Sequence, residues 1–90
     1  MPLAARVDDD HSCPLHTGGP ILAPCEPTVI IEYKAAARVG DKAKCFGPDD
    51  TISEGSKTVT IGNKEAARLG DPTEHGGQIT EGAQSVTIGD

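Results

Sequence analysis

Tryptophan is absent from this chain, and tyrosine, phenylalanine and methionine occur once each, as Tyr33, Phe46 and Met1. The bulky side chains that dominate ordinary cores are therefore not available to hold a fold together. Aliphatic residues do not make up the deficit. Val, Ile, Leu and Phe number 17 of 90, and with a formal net charge of −6 the composition approaches that of a disordered chain. The eight Lys and Arg are scattered rather than gathered in a stripe, which argues against a nucleic-acid footprint or binding to an anionic membrane surface. No apolar run approaches the ~20 residues of a membrane helix. Met1–Asp10 carries one Arg, no apolar run of leader length and three consecutive Asp, so no signal peptide is expected and synthesis in the cytosol is. Ninety residues leave room for one small domain, 1–90, with too little apolar surface for a large core.

What the chain does have is internal repetition. Residues 28–41 read TVIIEYKAAARVGD and residues 58–71 read TVTIGNKEAARLGD, at a constant offset of 30. Residues 51–62, TISEGSKTVTIG, recur as QITEGAQSVTIG at 78–89, at an offset of 27. The second half of the third copy is missing after residue 89 and is found at the other end, where Ala4–Asp9 matches Ala36–Asp41. Three copies, one split across the termini, point to a closed ring about a threefold axis rather than an open solenoid. The repeated apolar positions Val29, Val59 and Val86, and Ile31, Ile61 and Ile88, imply equivalent buried sites, which answers the compositional argument for disorder.

Thr58–Ile61 and Ser85–Ile88 alternate polar and apolar residues with β-branched side chains, as half-buried strands do, and Thr28–Ile31 is the same strand with both faces apolar. Tyr33–Val39 and Asn63–Leu69 are too short for ordinary helices and are read as short strands or extended segments. Gly55, Gly62, Gly70, Gly82 and Gly89 fall where the chain must turn, where glycine takes a positive φ without strain. Alanine in the repeated Ala-Ala-Arg slot suits a crowded axis. Each Arg precedes an Asp by three residues (Arg6/Asp9, Arg38/Asp41, Arg68/Asp71), and these pairs are expected to tie turns, at ~0–1 kcal/mol each if exposed.

The side chains that can carry chemistry follow the repeat. His11 comes two residues after Asp9, Cys45 four after Asp41 and His75 four after Asp71, while His16 precedes Gly18-Gly19. If these loops converge at one end of the axis, His11, His16, Cys45 and His75 form a four-coordinate set suited to structural zinc, with iron as the alternative. Cys13-Pro14-Leu15-His16 is a competing pair that would put Cys13 in the shell instead of His11. Cys25 replaces the Gly seen at positions 55 and 82 and is expected to pack as a small apolar side chain, with a Cys13–Cys25 disulfide left open. Asp49-Asp50 follow Gly47-Pro48 and read as turn residues. No HExxH, P-loop, GxGxxG or GxSxG pattern occurs, so no reaction is expected.

These residues resemble the PAAR-repeat proteins, the conical tips of the spikes of bacterial type VI secretion systems and related contractile injection machines. The resemblance spans nearly all of the chain: AARVDDDH, HTGGPI, PTVIIEYKAAARVGD, KCFGPDDTISEGSKTVTIG, KEAARLGD and EHGGQITEGAQSVTIG. It departs at the Pro that opens the eponymous motif, which is Leu3, Ala35 and Glu65 here. The implied fold is all-β: a small conical pseudo-threefold β-prism of short strands, closed by the N-terminal half repeat and stapled by metal at its apex. The resemblance also implies a zinc near the apex held by three His and one Cys, falling on His11, His16, Cys45 and His75. The base would cap a trimeric VgrG-type spike, one copy per trimer, sharpening it for membrane piercing and recruiting effector proteins. The chain would be a bare tip, a monomer alone, resident in the bacterial cytoplasm before firing and then delivered outside the cell or into a target cell. The competing functions are a small zinc hydrolase, which needs a coordination place open to water, and a cytosolic metal-binding scaffold unrelated to secretion.

Overall fold

Short β-branched runs between turns can form only short ladders, and short ladders are what the chain builds. The computed structural model describes residues 2–14, 18–45 and 47–89, and among these there are six strands and no helix. β1 (Glu26–Ile31) pairs with β2 (Lys34–Ala36), β3 (Lys42–Ala43) with β4 (Asp50–Thr51), and β5 (Thr60–Ile61) with β6 (Lys64–Glu65), all antiparallel. The two segments read as extended rather than helical contain β2 and β6. The register of β1 slips between Glu26 and Ile30, where the first copy has one residue more than the second between its repeated Ile and Val.

The copies meet at a closed cycle of backbone hydrogen bonds. Ala5 N–H donates to the Ala67 carbonyl, Ala67 N–H to Ala37, and Ala37 N–H back to Ala5, each at 3.0 Å. Isolated bridges run round the same circuit, Arg6 with Ala36, Arg38 with Ala66 and Arg68 with Ala4. All six motif alanines are at most 1% exposed, because three backbones that bond to one another around an axis leave no room for more than a methyl group. The N-terminal segment closes the ring as the repeat implied: Leu3 bridges Thr87, Ala4 N–H donates to Val86, and Ile88 N–H donates to Pro2. A further cycle joins Val7 N–H to the Ala35 carbonyl, Val39 to Glu65 and Leu69 to Leu3. Ala35, Glu65 and Leu3 are the residues that open the Ala-Ala-Arg slot, and each contact uses their carbonyl.

Layers stack along the axis from this cycle. On one side Ile31, Ile61 and Val86 pack with Ile88 against Ala4 and Ala66. On the other, Ile21, Ile52 and Ile79 pack with the second motif alanines and Ala43. Each of these three Ile is at most 1% exposed and is pinned at both backbone groups, donating to Asp9, Asp41 or Asp71 and accepting from Asp8, Gly40 or Gly70. Asp8, Gly40 and Gly70 share a left-handed turn, with φ of 76°, 93° and 92°, the split third copy using one of the few side chains that tolerate it. Gly55 and Gly82 do not adopt positive φ. They are glycines because a Cβ there would meet the backbones of Ala66 and of Leu3 and Ala4. The expected pairing of Cys25 with these glycines shifts by one place as well: Cys25, Ser56 and Ala83 each lie four residues beyond the equivalent Ile and are all buried.

The Arg–Asp pairs are more than exposed ties. In each copy the Asp accepts from the Arg backbone N–H and Nε at one oxygen and from a guanidinium nitrogen at the other, at 2.7–3.2 Å. The side chains are at most 14% exposed. Planar two-point contacts of this kind fix geometry as well as charge.

Enlarging Ala37 to Leu should lower stability by about 1–3 kcal/mol or more through overpacking at the axis. For a domain of this size that is a fall in melting temperature of roughly 4–8 °C per kcal/mol. Deleting residues 1–10 should lower the melting temperature of the whole fold, and an unchanged midpoint would contradict a closed ring.

Candidate metal centre

Beyond the isoleucine layer lies a ring of equivalent residues formed by His11, Ala43 and Thr73, which bridge Ile79, Ile21 and Ile52 in turn. Two residues further on in each copy stand Cys13, Cys45 and His75, four residues past Asp9, Asp41 and Asp71. Their ligand atoms all lie within 4.8 Å of one another. Cys13 Sγ is 2.9 Å from Cys45 Sγ, and His75 Nδ1 is 3.6 Å from Cys13 Sγ and 3.4 Å from Cys45 Sγ. Cys45 is fully buried, Cys13 is 7% exposed and the His75 imidazole is 20% exposed. Zinc bonds of about 2.3 Å to sulfur and 2.0–2.1 Å to nitrogen at tetrahedral angles put sulfur and nitrogen about 3.5 Å apart, and both observed separations match. The sulfur pair is closer than the roughly 3.8 Å of such a shell and would have to open. Two thiols and an imidazole around one point are donors that suit zinc.

Of the residues expected from sequence, Cys45 and His75 come together and His11 does not join them. His11 is buried one layer below, with Nδ1 2.8 Å from the Gly19 carbonyl and Nε2 3.1 Å from Asp50 Oδ2. Both ring nitrogens are thus engaged, and the residue found beside Cys45 and His75 is the competing Cys13. The reason is the repeat itself: position 11 aligns with Ala43 and Thr73, whereas position 13 aligns with Cys45 and His75. The constant spacing of four from the motif Asp was the signal for Cys13. His16 lies outside the described residues. A Cys13–Cys25 disulfide does not form, since Cys13 faces Cys45 while Cys25 packs in the core with its Sγ 3.4 Å from the Leu22 carbonyl. Burial pushes the Cys25 thiol up to about 12, helped by the nearby Asp41.

A family model described as the PAAR motif matches residues 14–81. The chain belongs to the PAAR-motif family. This is the family of type VI secretion spike tips, a structural rather than an enzymatic family. No curated protein matched the chain. The PAAR match includes Cys45 and His75 and stops one residue short of Cys13. Against the three-His, one-Cys shell that the PAAR resemblance implied, the equivalent slots of this chain hold two Cys and one His.

Asp50, read from sequence as a turn residue, is instead the buried support of this PAAR apex. It is fully buried; its Oδ1 accepts from the backbone N–H of Thr51 at 2.8 Å and of His75 at 3.0 Å, and Oδ2 faces His11. Burial opposes its ionisation, but the neighbouring Thr73 hydroxyl, the hydrogen bonds from the His75 and Thr51 amides and the proximity of the His75 side chain outweigh this and hold the carboxyl below its usual range. Equivalent positions in the other copies carry Gly19 and Gly77, and at Gly77 a Cβ would run into the Ser12 carbonyl next to Cys13. A single carboxylate therefore fixes the backbone of one ligand and the ring of His11.

Replacing Asp50 by Ala should cost about 3 kcal/mol or more, because buried donors lose their acceptor. Since the folded pKa lies below the unfolded one, ionised Asp50 stabilises the fold above the ordinary carboxylate range, and that contribution is lost as pH falls through the folded value. Unfolding midpoints measured from neutral pH into acid should fall less steeply for Asp50→Asn than for the native chain.

Proposed function

We propose that this chain is the tip of a homotrimeric VgrG-type spike in a contractile secretion machine, one copy per trimer, and that it performs no catalysis. The observation that carries this is the cycle of hydrogen bonds through Ala5, Ala67 and Ala37. A trimer presents three identical strand ends around its axis, and one chain can meet all three together only if its own backbone repeats three times about that axis. The docking end would be the one carrying Ile31, Ile61 and Ile88, opposite Cys13 and Cys45, where short hairpins and exposed Val59 and Ile30 offer strand edges and apolar area. An interface of standard size, roughly 1,200–2,000 Å² in total, is expected. In this reading the chain waits in the bacterial cytoplasm and leaves with the spike, and effector recruitment would use its outer faces.

The metal is proposed to be zinc, held by Cys13, Cys45 and His75 with His16 as the fourth ligand. Bound there it would cross-link three loops at the end of the fold where too few residues remain for a core. Structural sites of this kind contribute on the order of 10 kcal/mol in apparent binding free energy at neutral pH.

Elemental analysis of protein purified without added metal should find one zinc per chain, and chelation should lower the melting temperature sharply. Cys13→Ala and His16→Ala should lose metal, whereas His11→Ala should keep it while losing stability. Zinc lost from His11→Ala but kept by Cys13→Ala would reverse the ligand assignment. Mixed with a trimeric spike from the same genome, native mass measurement should give one chain per trimer, unaffected by charge reversal at Lys44 beside the apex. Three chains per trimer would overturn the capping reading.

A further inference from the structure

Two of the three equivalent apex slots carry cysteine, and this permits chemistry that a shell with a single cysteine does not. The Cys13 and Cys45 sulfurs stand 2.9 Å apart without being joined as a disulfide, nearer than a tetrahedral zinc would hold them. Cys45 is sealed from solvent, but Cys13 lines a surface pocket of about 330 Å³ together with Ser12, Pro14, Gly76, Gly77 and Gln78. A small oxidant entering that pocket therefore meets Cys13 first, with Cys45 directly behind it as the resolving sulfur. The remaining cysteine, Cys25, is in a separate core cluster beside the Leu22 carbonyl.

We propose that Cys13 and Cys45 form a reversible dithiol–disulfide pair, so that a peroxide entering this pocket oxidises them and removes two donors from the apex. The Cys13 thiolate attacks one oxygen of hydrogen peroxide, the O–O bond breaks, and a sulfenic acid and hydroxide result. The Cys45 thiolate then attacks the Cys13 sulfur, the S–O bond breaks, a second hydroxide leaves and the S–S bond forms. Two electrons pass from the two sulfurs to the peroxide. Zinc has no redox chemistry of its own and would leave as the same ion. A thiol reductant reverses the sequence. The inference uses the same side chains as the proposed metal site, and it distinguishes two states of the apex: loops tied through a metal in reducing surroundings, or two of them tied covalently in oxidising ones.

The test treats the purified 90-residue chain with hydrogen peroxide, follows zinc release with a chromogenic chelator, and counts alkylatable thiols after unfolding. Thiols should fall from three to one, a Cys13–Cys45 linked peptide should appear, and one equivalent of zinc should be released in step with it. Dithiothreitol with zinc should restore the starting state. Cys25→Ser should keep the link, and Cys45→Ser should stop at a Cys13 sulfenic acid that dimedone traps. Three thiols persisting after peroxide, or a link that includes Cys25, would overturn the proposal. A chain that carries no zinc but forms the Cys13–Cys45 link supports the thiol pair and removes the metal reading; one that carries zinc and never forms the link does the opposite.

Discussion

Three backbone hydrogen bonds, from Ala5 to Ala67 to Ala37 and back to Ala5, are the constraint on which the rest of this fold depends. A cycle that closes on itself in one chain brings three segments distant in sequence to one point and leaves no strand edge there to be satisfied by water or a partner. Everything near it is consequently small: the motif alanines at the axis, then single isoleucines in the next layer, then one ligand-bearing residue from each copy. A chain with one Phe and no Trp can fold this way because its order comes from backbone pairing repeated three times rather than from a large apolar interior.

The motif Arg and Asp serve the same end. Each Asp captures its own turn's backbone and guanidinium at once, so the chain leaves the axis at the same angle in every copy. That common angle delivers the residue four places beyond each Asp to a common point. The apex is thus a product of the axis, and its ligands converge because three identical turns aim them. Asymmetry enters only where the residues at equivalent positions differ, as where His11 and Asp50 stand opposite small residues in the other copies and form a buried contact that the symmetry does not supply.

In a fold so symmetric, substitutions at equivalent sites are the means by which one copy is given a separate role. Cys25 stands where the other copies have Ser56 and Ala83, ahead of the extra residue of the first copy, and is a core side chain. Position 13 has Cys where position 75 has His, which changes the donor set without moving the backbone. Asp50 replaces glycine at one of three places and becomes the buried anion that orients the apex. Each change is chemically large and geometrically small, so the site varies while the threefold form is kept.

The amino-acid sequence by itself determined the threefold repeat, its closure by the N-terminal half copy, the all-β character and the shared phase of Cys45 and His75, because these follow from spacing, and spacing is a one-dimensional quantity. The choice between His11 and Cys13 was only partly open to it: both follow Asp9 closely, and which one reaches the ligand cluster depends on which lies in phase with the other copies once strands pair. The burial of Asp50 and the reason for Gly55 and Gly82 were decided only in three dimensions. Each depends on which backbone folds back to within a few ångströms, and no local pattern of residues encodes the identity of that neighbour.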